Sequence, residues 1–124
     1  MSSYIFLDDY RFPCNVRWCK LPNCDNWITV RNYNQFCDHI RKHGIPKFVT
    51  YDHDLADDHY TQQETIDYKT FREKTGYDCA KFLVELCASK NIPHPEYTVH
   101  SLNPAGKANI ISLIDTYNKT FKIF

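Results

Sequence analysis

The chain has 124 residues, of which 43% are hydrophobic and 15% aromatic, so we expect one domain over residues 1–124 with one buried core. Fifteen basic residues balance fifteen acidic ones, and this net charge indicates neither a nucleic-acid nor a membrane partner. The sequence contains no apolar run long enough to span a membrane and no signal-peptide pattern at its start. We therefore expect a cytoplasmic protein, and nothing in the sequence indicates a protein partner.

The cysteine pattern favours free thiols over disulfides or a zinc site. Because no export signal is present, we expect all six cysteines to be reduced. Those in the loop after the first strand are separated by four residues each, unlike the Cys-x₂-Cys pairs of structural zinc sites. The six positions are Cys14, Cys19, Cys24, Cys37, Cys79 and Cys87.

The first third of the chain reads as strand, loop, strand and helix. Residues 4–7 form a short apolar run and predict a buried strand, and residues 27–30 predict a second one. Residues 10–26 contain prolines and asparagines and predict a long loop. Asn32 or Asn34 is a candidate cap for a helix over residues 35–42. The apolar face of that helix is Tyr33, Phe36, Cys37 and Ile40, and Gly44 and Pro46 follow it.

The remainder continues the alternation. Residues 47–51 predict a third strand, and residues 56–74 predict a polar flap with one short helix at most. A capping-box pattern at residues 75–78 starts a helix that runs to about Lys90, with Cys79, Phe82, Leu83, Leu86 and Cys87 inward. Residues 97–99 predict a fourth strand. Gly106 then opens the last helix, whose apolar stripe is Ile110, Leu113, Ile114, Tyr117 and Phe121.

This order of elements predicts an α/β fold of three layers, with a short, mainly parallel sheet and helices on both of its faces. Right-handed crossovers limit the arrangements, and a flavodoxin-like strand order of 2-1-3-4 is the simplest. Strands 1 and 3 are neighbours in that order, and the chain leaves them towards opposite faces. Open α/β sheets bind ligands at such a switch point.

Polar clusters follow three of the predicted strands, at the ends that share one edge of the sheet. Asp residues are common after strands because they start turns, so one cluster alone indicates little. Three clusters at one edge are harder to explain in that way, because close carboxylates repel one another. We therefore predict a functional site from Asp8-Asp9, Asp52-His53-Asp54 and His100-Ser101.

These residue types suit the cleavage of a phosphate ester. His53 and His100 are candidate acid and base, and Asp52 and Asp54 are candidate carboxylates that orient them. The same chemistry fits Mg²⁺ or Mn²⁺ bound by Asp8, Asp9 and Asp52, which is the alternative use of the carboxylates. Candidate substrate-binding groups are Arg11, Ser101, Asn103 and the start of the helix at Gly106, whereas Arg17 is expected to be solvated.

The motifs Leu7-Asp8-Asp9 with Arg11 and Pro13, Asp52-His53-Asp54-Leu55, Thr75-Gly76-Tyr77-Asp78 and His100-Ser101-Leu102-Asn103-Pro104 with Gly106 resemble the cyclic-phosphate-processing receiver-like family. The resemblance covers residues 4 to about 115. It implies a receiver-type, flavodoxin-like fold and a hydrolase acting on cyclic phosphates. The implied substrates are 2′,3′-cyclic phosphate ends of RNA, as in RNA repair, or cyclic nucleotides. The implied site positions are Asp8, Asp9, Asp52, His53, Asp54, His100, Ser101 and Asn103.

Two alternatives come from other classes of protein. A signalling receiver would accept a phosphoryl group on Asp52 or Asp54, but it needs a lysine at the end of its last strand, where this chain has His100-Ser101. A binding module would hold a cyclic nucleotide without hydrolysing it. A turnover assay separates the binding module from the enzyme.

Overall fold

The structure is a computed structural model that describes residues 3–24, 26–55 and 74–121. Four strands form a parallel sheet in the order β2-β1-β3-β4, as predicted. They are β1 (Tyr4–Leu7), β2 (Trp27–Val30), β3 (Phe48–Tyr51) and β4 (Glu96–Val99). Leu7 pairs with both Val30 and Tyr51, and Tyr51 pairs with Val99, so the four strands end at one level. The residues that follow them therefore share one edge.

Three α-helices follow β2, β3 and β4: α1 (Tyr33–His43), α2 (Gly76–Lys90) and α3 (Pro104–Asn118). Short 3₁₀ turns occupy Pro13–Asn15 and Lys119–Phe121. Asn32, rather than Asn34, caps α1 by accepting the amide of Gln35. Thr75 and Asp78 form the predicted capping box of α2. No helix in the described residues is both long and apolar enough to cross a membrane.

Several boundaries differ from the sequence prediction: α1 spans Tyr33–His43 rather than residues 35–42, and β4 begins at Glu96 rather than Tyr97. The last helix begins at Pro104 rather than Gly106, because proline suits the first helical position and Asn103 accepts the Gly106 amide as the cap. Strand β3 begins at Phe48. The predicted flap over residues 56–74 lies outside the described residues, except for Lys74.

The three helices lie in a row, with α2 in contact with both α1 and α3. Alternate strand residues pack against them in one core, which includes Ile5, Leu7, Val49, Tyr51, Val99, Phe36, Ile40, Leu83, Ile110 and Ile114. The opposite face of the sheet carries an aromatic cluster of Tyr4, Phe6, Trp27 and Phe48. Within the described residues, the three helices contribute to the core on the first of these two faces. The right-handed rule sends the β1–β2 connection across that opposite face, and this connection is a loop with one 3₁₀ turn.

Candidate active site at the carboxyl edge of the sheet

A pocket of about 410 Å³ opens where β1, β3 and β4 end. This volume lies within the range of small-molecule sites. Three carboxyl groups and one guanidinium face it, together with side chains from the loop after β1 and the start of α3. The lining residues are Asp9, Tyr10, Arg11, Asp52, Asp54, Leu102, Asn103 and Pro104.

Asp8 lies beneath the pocket and is fully buried. One of its carboxylate oxygens accepts the amides of Tyr10 and Arg11 at 3.0 and 2.8 Å, which folds the loop back over the strand end. Burial by itself raises the pKa of Asp8. The hydrogen bonds from His100 and the two amides outweigh it and lower that pKa to about 2. Asp8 is therefore a permanent negative charge below the pocket.

His100 is also fully buried, and its ring stacks on Phe6 with 4.8 Å between ring centroids. Its Nε2 lies 3.0 Å from the ionised Asp8 carboxylate, so Nε2 carries the proton that makes this hydrogen bond. The hydroxyl of Thr98 donates to that of Thr50, which lies 2.8 Å from Nδ1 of His100. In the neutral ring both nitrogens are thus engaged inside the protein.

Asp52 and Arg11 form the floor of the pocket. Arg11 Nη1 lies 3.3 Å from the Asp8 carboxylate and 3.9 Å from that of Asp52. Asp52 accepts the amide of His53 at 2.8 Å. Burial, followed by the negative charge of Asp8, raises the pKa of Asp52 to about 6. This carboxyl group exchanges protons near neutral pH while lining the pocket.

His53 and Asp54 follow Asp52 at the end of β3; Asp54 lines the pocket, and His53 is not among the lining residues. Nδ1 of His53 lies 2.9 Å from the exposed Asp54 carboxylate, which also accepts the side-chain amide of Asn103 at 3.3 Å. The His53 ring packs on Gly106, where an added Cβ would lie 2.3 Å from the ring. The close approach of α3 to His53 therefore requires a glycine at position 106.

The turn between β4 and α3 is held by its own side chains. Ser101 is buried, and its hydroxyl accepts the amide of Asn103 at 3.1 Å. The side-chain oxygen Oδ1 of Asn103 accepts the amide of Gly106 at 2.9 Å, and Pro104 has no amide proton to donate. The predicted use of Gly106 as an anion donor stays a prediction, and in this structure its amide already has an acceptor.

Three buried side chains at this edge form a candidate metal-binding set. One ligand atom from each of Asp8, Asp52 and His100 lies within 4.8 Å of the others. The sequence prediction placed Asp9 rather than His100 in this set. Oxygens of Asp8 and Asp52 suit Mg²⁺ or Mn²⁺. The Arg11 guanidinium, however, contacts both carboxylates, and Nε2 of His100 would have to lose its proton before it could bind a metal.

The predicted convergence is found for Asp9, Asp52, Asp54, Arg11 and Asn103, which all face the pocket. His100 was expected in the same pocket but lies below it. Arg17 is exposed, as expected. The sequence analysis missed several neighbours of the site, namely Tyr10, Trp18, Arg31, Thr50 and Leu102. The only available signal for the first two was their position in the loop that follows Asp8-Asp9.

The comparisons with known proteins give one match. A family model described as the cyclic-phosphate processing receiver domain matches residues 3–116, which is most of the chain. The match spans every strand and both polar clusters on β1 and β3, as well as the His100-Ser101 turn. Neither a curated protein nor a solved structure matches the chain.

Proposed function

Because the chain belongs to the cyclic-phosphate processing receiver domain family, we propose that its pocket hydrolyses a strained cyclic phosphodiester to a phosphomonoester. The observation that carries this proposal is the pairing of Arg11 with Asp52 at the pocket floor. A guanidinium binds phosphate oxygens, and a carboxyl group with a pKa of about 6 exchanges a proton with water at neutral pH.

In this proposal Arg11 binds the phosphate and keeps its second contact with Asp8. Asn103 lies across the pocket and offers its side-chain amide to a phosphoryl oxygen. Asp8 is not a proton donor, because its pKa of about 2 keeps it ionised. Its charge instead holds the guanidinium in place and helps to raise the pKa of Asp52.

The reaction needs one group to take a proton and another to give one. Asp52 accepts a proton from water as the water oxygen forms a bond to phosphorus. One ring P–O bond breaks, and the leaving oxygen receives a proton from the imidazolium of His53. Asp54 orients His53 through the 2.9 Å hydrogen bond to Nδ1, so that Nε2 is the proton-donating atom. The product is a phosphomonoester beside a free hydroxyl group.

His100 has a different role here from the acid–base role predicted from the sequence. Its buried ring holds Asp8 through Nε2 and Thr50 through Nδ1. We therefore place it as a positioning residue that acts through Asp8. The acid–base assignment of His100 stays a prediction, and the histidine variants described in the Discussion test it.

A divalent cation is the alternative to Arg11 as the charge facing the phosphate. Mg²⁺ or Mn²⁺ would be held by oxygens of Asp8, Asp9 and Asp52 and would polarise the phosphoryl group. That arrangement requires the Arg11 guanidinium to move away from Asp8 and Asp52, which it now contacts. We therefore favour the arginine version.

A phosphoacceptor receiver is the second candidate function. It is supported by the position of Asp52 at the end of β3, beside Asp8 and within 3.9 Å of a cation. In that reading the Asp52 carboxylate attacks the phosphorus of a phosphodonor, the donor's P–O bond breaks to release its leaving group, and an acyl phosphate forms on Asp52. This reading is weakened because His100-Ser101, and not the lysine that pairs with the phosphoryl group of a receiver, follows β4.

The decisive experiment incubates the protein with 2′,3′-cyclic nucleotides, RNA ends bearing a cyclic phosphate and a simple alkyl cyclic phosphate, with and without excess chelator. We expect a phosphomonoester product that chelator does not suppress. Arg11→Lys keeps the positive charge but loses the planar set of N–H donors of the guanidinium, so the turnover rate should fall. Arg17→Lys, at an exposed position, is the matched control. No turnover on any of these substrates would overturn the proposal. Acyl phosphate formed from acetyl phosphate would support the receiver.

A further inference from the structure

Large apolar side chains are exposed mainly beside the pocket. Within the described residues five such side chains are exposed, and only Ile92, after α2, lies outside the two turns that border the site. The other four are Tyr10, Phe12, Trp18 and Leu102, with exposed fractions of 66%, 54%, 44% and 60%. Tyr10 and Leu102 line the pocket itself. Grouped exposure of this kind marks a binding surface, whereas scattered exposure does not.

The aromatic rings are fixed in place by the arginines of the site. The Arg11 guanidinium lies 4.6 Å from the ring centroid of Tyr10 and 5.1 Å from that of Trp18. Arg31 lies 4.6 Å from the Phe12 ring and also donates to the carbonyl of Asp8. The indole of Trp18 donates to the carbonyl of His100 at 2.7 Å. These contacts fix the orientation of the rings in the absence of a ligand, so the rings are preorganised for binding.

We propose that Tyr10, supported by Trp18 and Phe12, stacks the nucleobase of a ligand whose phosphate lies at Arg11. The proposal deepens the function proposed above and depends on it for the position of the phosphate. Flat apolar rings next to a guanidinium match the two chemical parts of a nucleotide, an aromatic base and an anionic phosphate. The substrate class is then nucleotides, and small alkyl cyclic phosphates are poor ligands.

A second copy of the chain is the other occupant that the exposed rings would accept. Two of the four exposed apolar side chains, Tyr10 and Leu102, also line the pocket. A protein surface bound to these side chains would therefore cover the pocket as well. The neighbouring charged groups, three carboxylates and Arg11, are unfavourable at the dry centre of a protein interface, whereas the Arg11 guanidinium attracts a phosphate. The nucleobase is therefore the occupant to which we commit.

The test measures binding by calorimetry and does not depend on turnover. Adenosine 3′-monophosphate is compared with glycerol 2-phosphate, which has a phosphate but no base. We expect the nucleotide to bind about 5- to 150-fold more tightly, the range expected for one stacked base. A short oligonucleotide ending in a 3′-phosphate forms a third arm. Tighter binding of the oligonucleotide, dependent on Phe12 and Trp18, identifies an RNA end, and equal binding identifies a free nucleotide.

Variants of Tyr10 decide where the base binds. Tyr10→Ala should remove most of the preference for the nucleotide over glycerol 2-phosphate, whereas Tyr10→Phe should keep the preference. Ile92→Ala is the control for loss of an exposed apolar side chain away from the pocket. Equal affinity of the parent for both ligands, or an unchanged preference in Tyr10→Ala, would overturn the inference. Loss of a dimer in Tyr10→Ala with the preference intact would also overturn it, in favour of self-association.

The two proposals fail in different ways. A parent protein that hydrolyses no cyclic phosphate but prefers the nucleotide in a Tyr10-dependent manner loses its proposed function and keeps the base site. A parent that hydrolyses simple and nucleoside cyclic phosphates alike, without any preference in binding, keeps its function and loses the base site.

Discussion

Asp8 and Asp52 are neighbouring buried carboxyl groups whose pKa values the site shifts in opposite directions. Asp8 has the hydrogen-bond donors that an ionised carboxylate needs, and its pKa falls to about 2. Asp52 is buried beside that charge, and its pKa rises to about 6. One group thereby stays charged, and the other exchanges its proton near neutral pH.

We expect Asp52→Asn to abolish most turnover, because the amide cannot take the proton of the attacking water. The expected loss in kcat is roughly 10²–10⁴-fold, the usual size of general acid–base catalysis. In the parent, activity should rise with pH through about 6 as Asp52 ionises, and the variant should lack this acid limb. The exposed Asp38→Asn on α1 is the control. A parent rate that is flat between pH 5 and 7 would contradict the assignment.

The same substitution should increase stability at neutral pH. The pKa of Asp52 is higher in the folded protein than its ordinary value of 3.8, so the folded state is penalised as pH rises from about 4 through 6. Asp52→Asn should therefore raise the free energy of unfolding by about 2 kcal/mol at pH 7 and by little at pH 4. Urea unfolding at both values measures this. An equal gain at both would show that the effect is not electrostatic.

The two histidines should separate stability from activity. His53→Ala should lose about 10²–10⁴-fold in turnover with a small change in stability, since the His53 side chain is partly exposed. His100→Ala should lose about 3 kcal/mol or more of unfolding free energy, because it empties a buried site and removes the donor to Asp8. Denaturant unfolding and single-turnover rates of both variants provide the measurement.

His100→Gln keeps a side-chain amide that can donate to Asp8, and it is the matched variant for the role of the ring. As a positioning residue, His100 should tolerate this change, and the rate should depend on pH as it does in the parent. A folded His100→Gln protein whose rate falls 10²-fold and depends on pH in a different way would restore the acid–base role predicted from the sequence.

Residue types and spacing were enough to predict which polar side chains meet, because parallel strands of four residues end at one level. They were not enough to predict how deeply each of these side chains is buried. His100 follows β4 directly and continues the strand alternation, so its ring stacks on Phe6 within the sheet layer and not in the pocket. The network of Thr50 and Thr98 that holds it joins residues 48 and more positions apart in sequence, which no local pattern shows.

Two helix starts press directly against the end of β3, and each depends on a glycine. At Gly76, the first residue of α2, an added Cβ would lie 1.8 Å from the Asp52 carbonyl oxygen. At Gly106, in the first turn of α3, it would meet the His53 ring at 2.3 Å. The first obstacle is backbone, and the second is the His53 side chain, whose Cβ also lies only 2.8 Å away.

We therefore expect Gly76→Ala and Gly106→Ala to have different effects. Gly76→Ala should lower the free energy of unfolding by about 1–3 kcal/mol or more, since α2 must shift away from the strand end. Gly106→Ala should lower stability as well and should also reduce turnover, because the Cβ and ring of His53 must both shift. Gly44→Ala is the control, since Gly44 has a φ of +93° and no atom within 4 Å, so it tests backbone strain alone. Equal turnover in Gly106→Ala and the parent would contradict the role of His53.

The sequence predicted each described strand and α-helix, and it predicted most of the helix caps because Asn32, Thr75 and Asp78 act through local hydrogen bonds. The start of α3 was missed by two residues because Pro104 was read as part of the turn and not as the first helical residue.

At the scale of the whole molecule, one core joins the sheet face to all three helices, and three of the six cysteines belong to it. Cys37, Cys79 and Cys87 are buried, whereas Cys14 is exposed and Cys19 and Cys24 are half-buried. All six are free thiols in the structure, and burial raises the pKa of each of the three core thiols. The prediction that the purified protein contains no disulfide remains to be tested.

The thiols should therefore report on the integrity of this core. Brief alkylation of the native protein should modify the three cysteines of the loop after β1 and spare Cys37, Cys79 and Cys87, because the core thiols are shielded and protonated. In denaturant all six should react, and the denaturant concentration that releases the core thiols should match the global unfolding transition, since α1 and α2 share one core. Mass spectrometry after the pulse counts the labels and locates them. Fewer than six labels in denaturant without reductant would reveal a disulfide and contradict the prediction of free thiols, and labelling of Cys37 well before Cys79 and Cys87 would show that α1 separates from the sheet on its own.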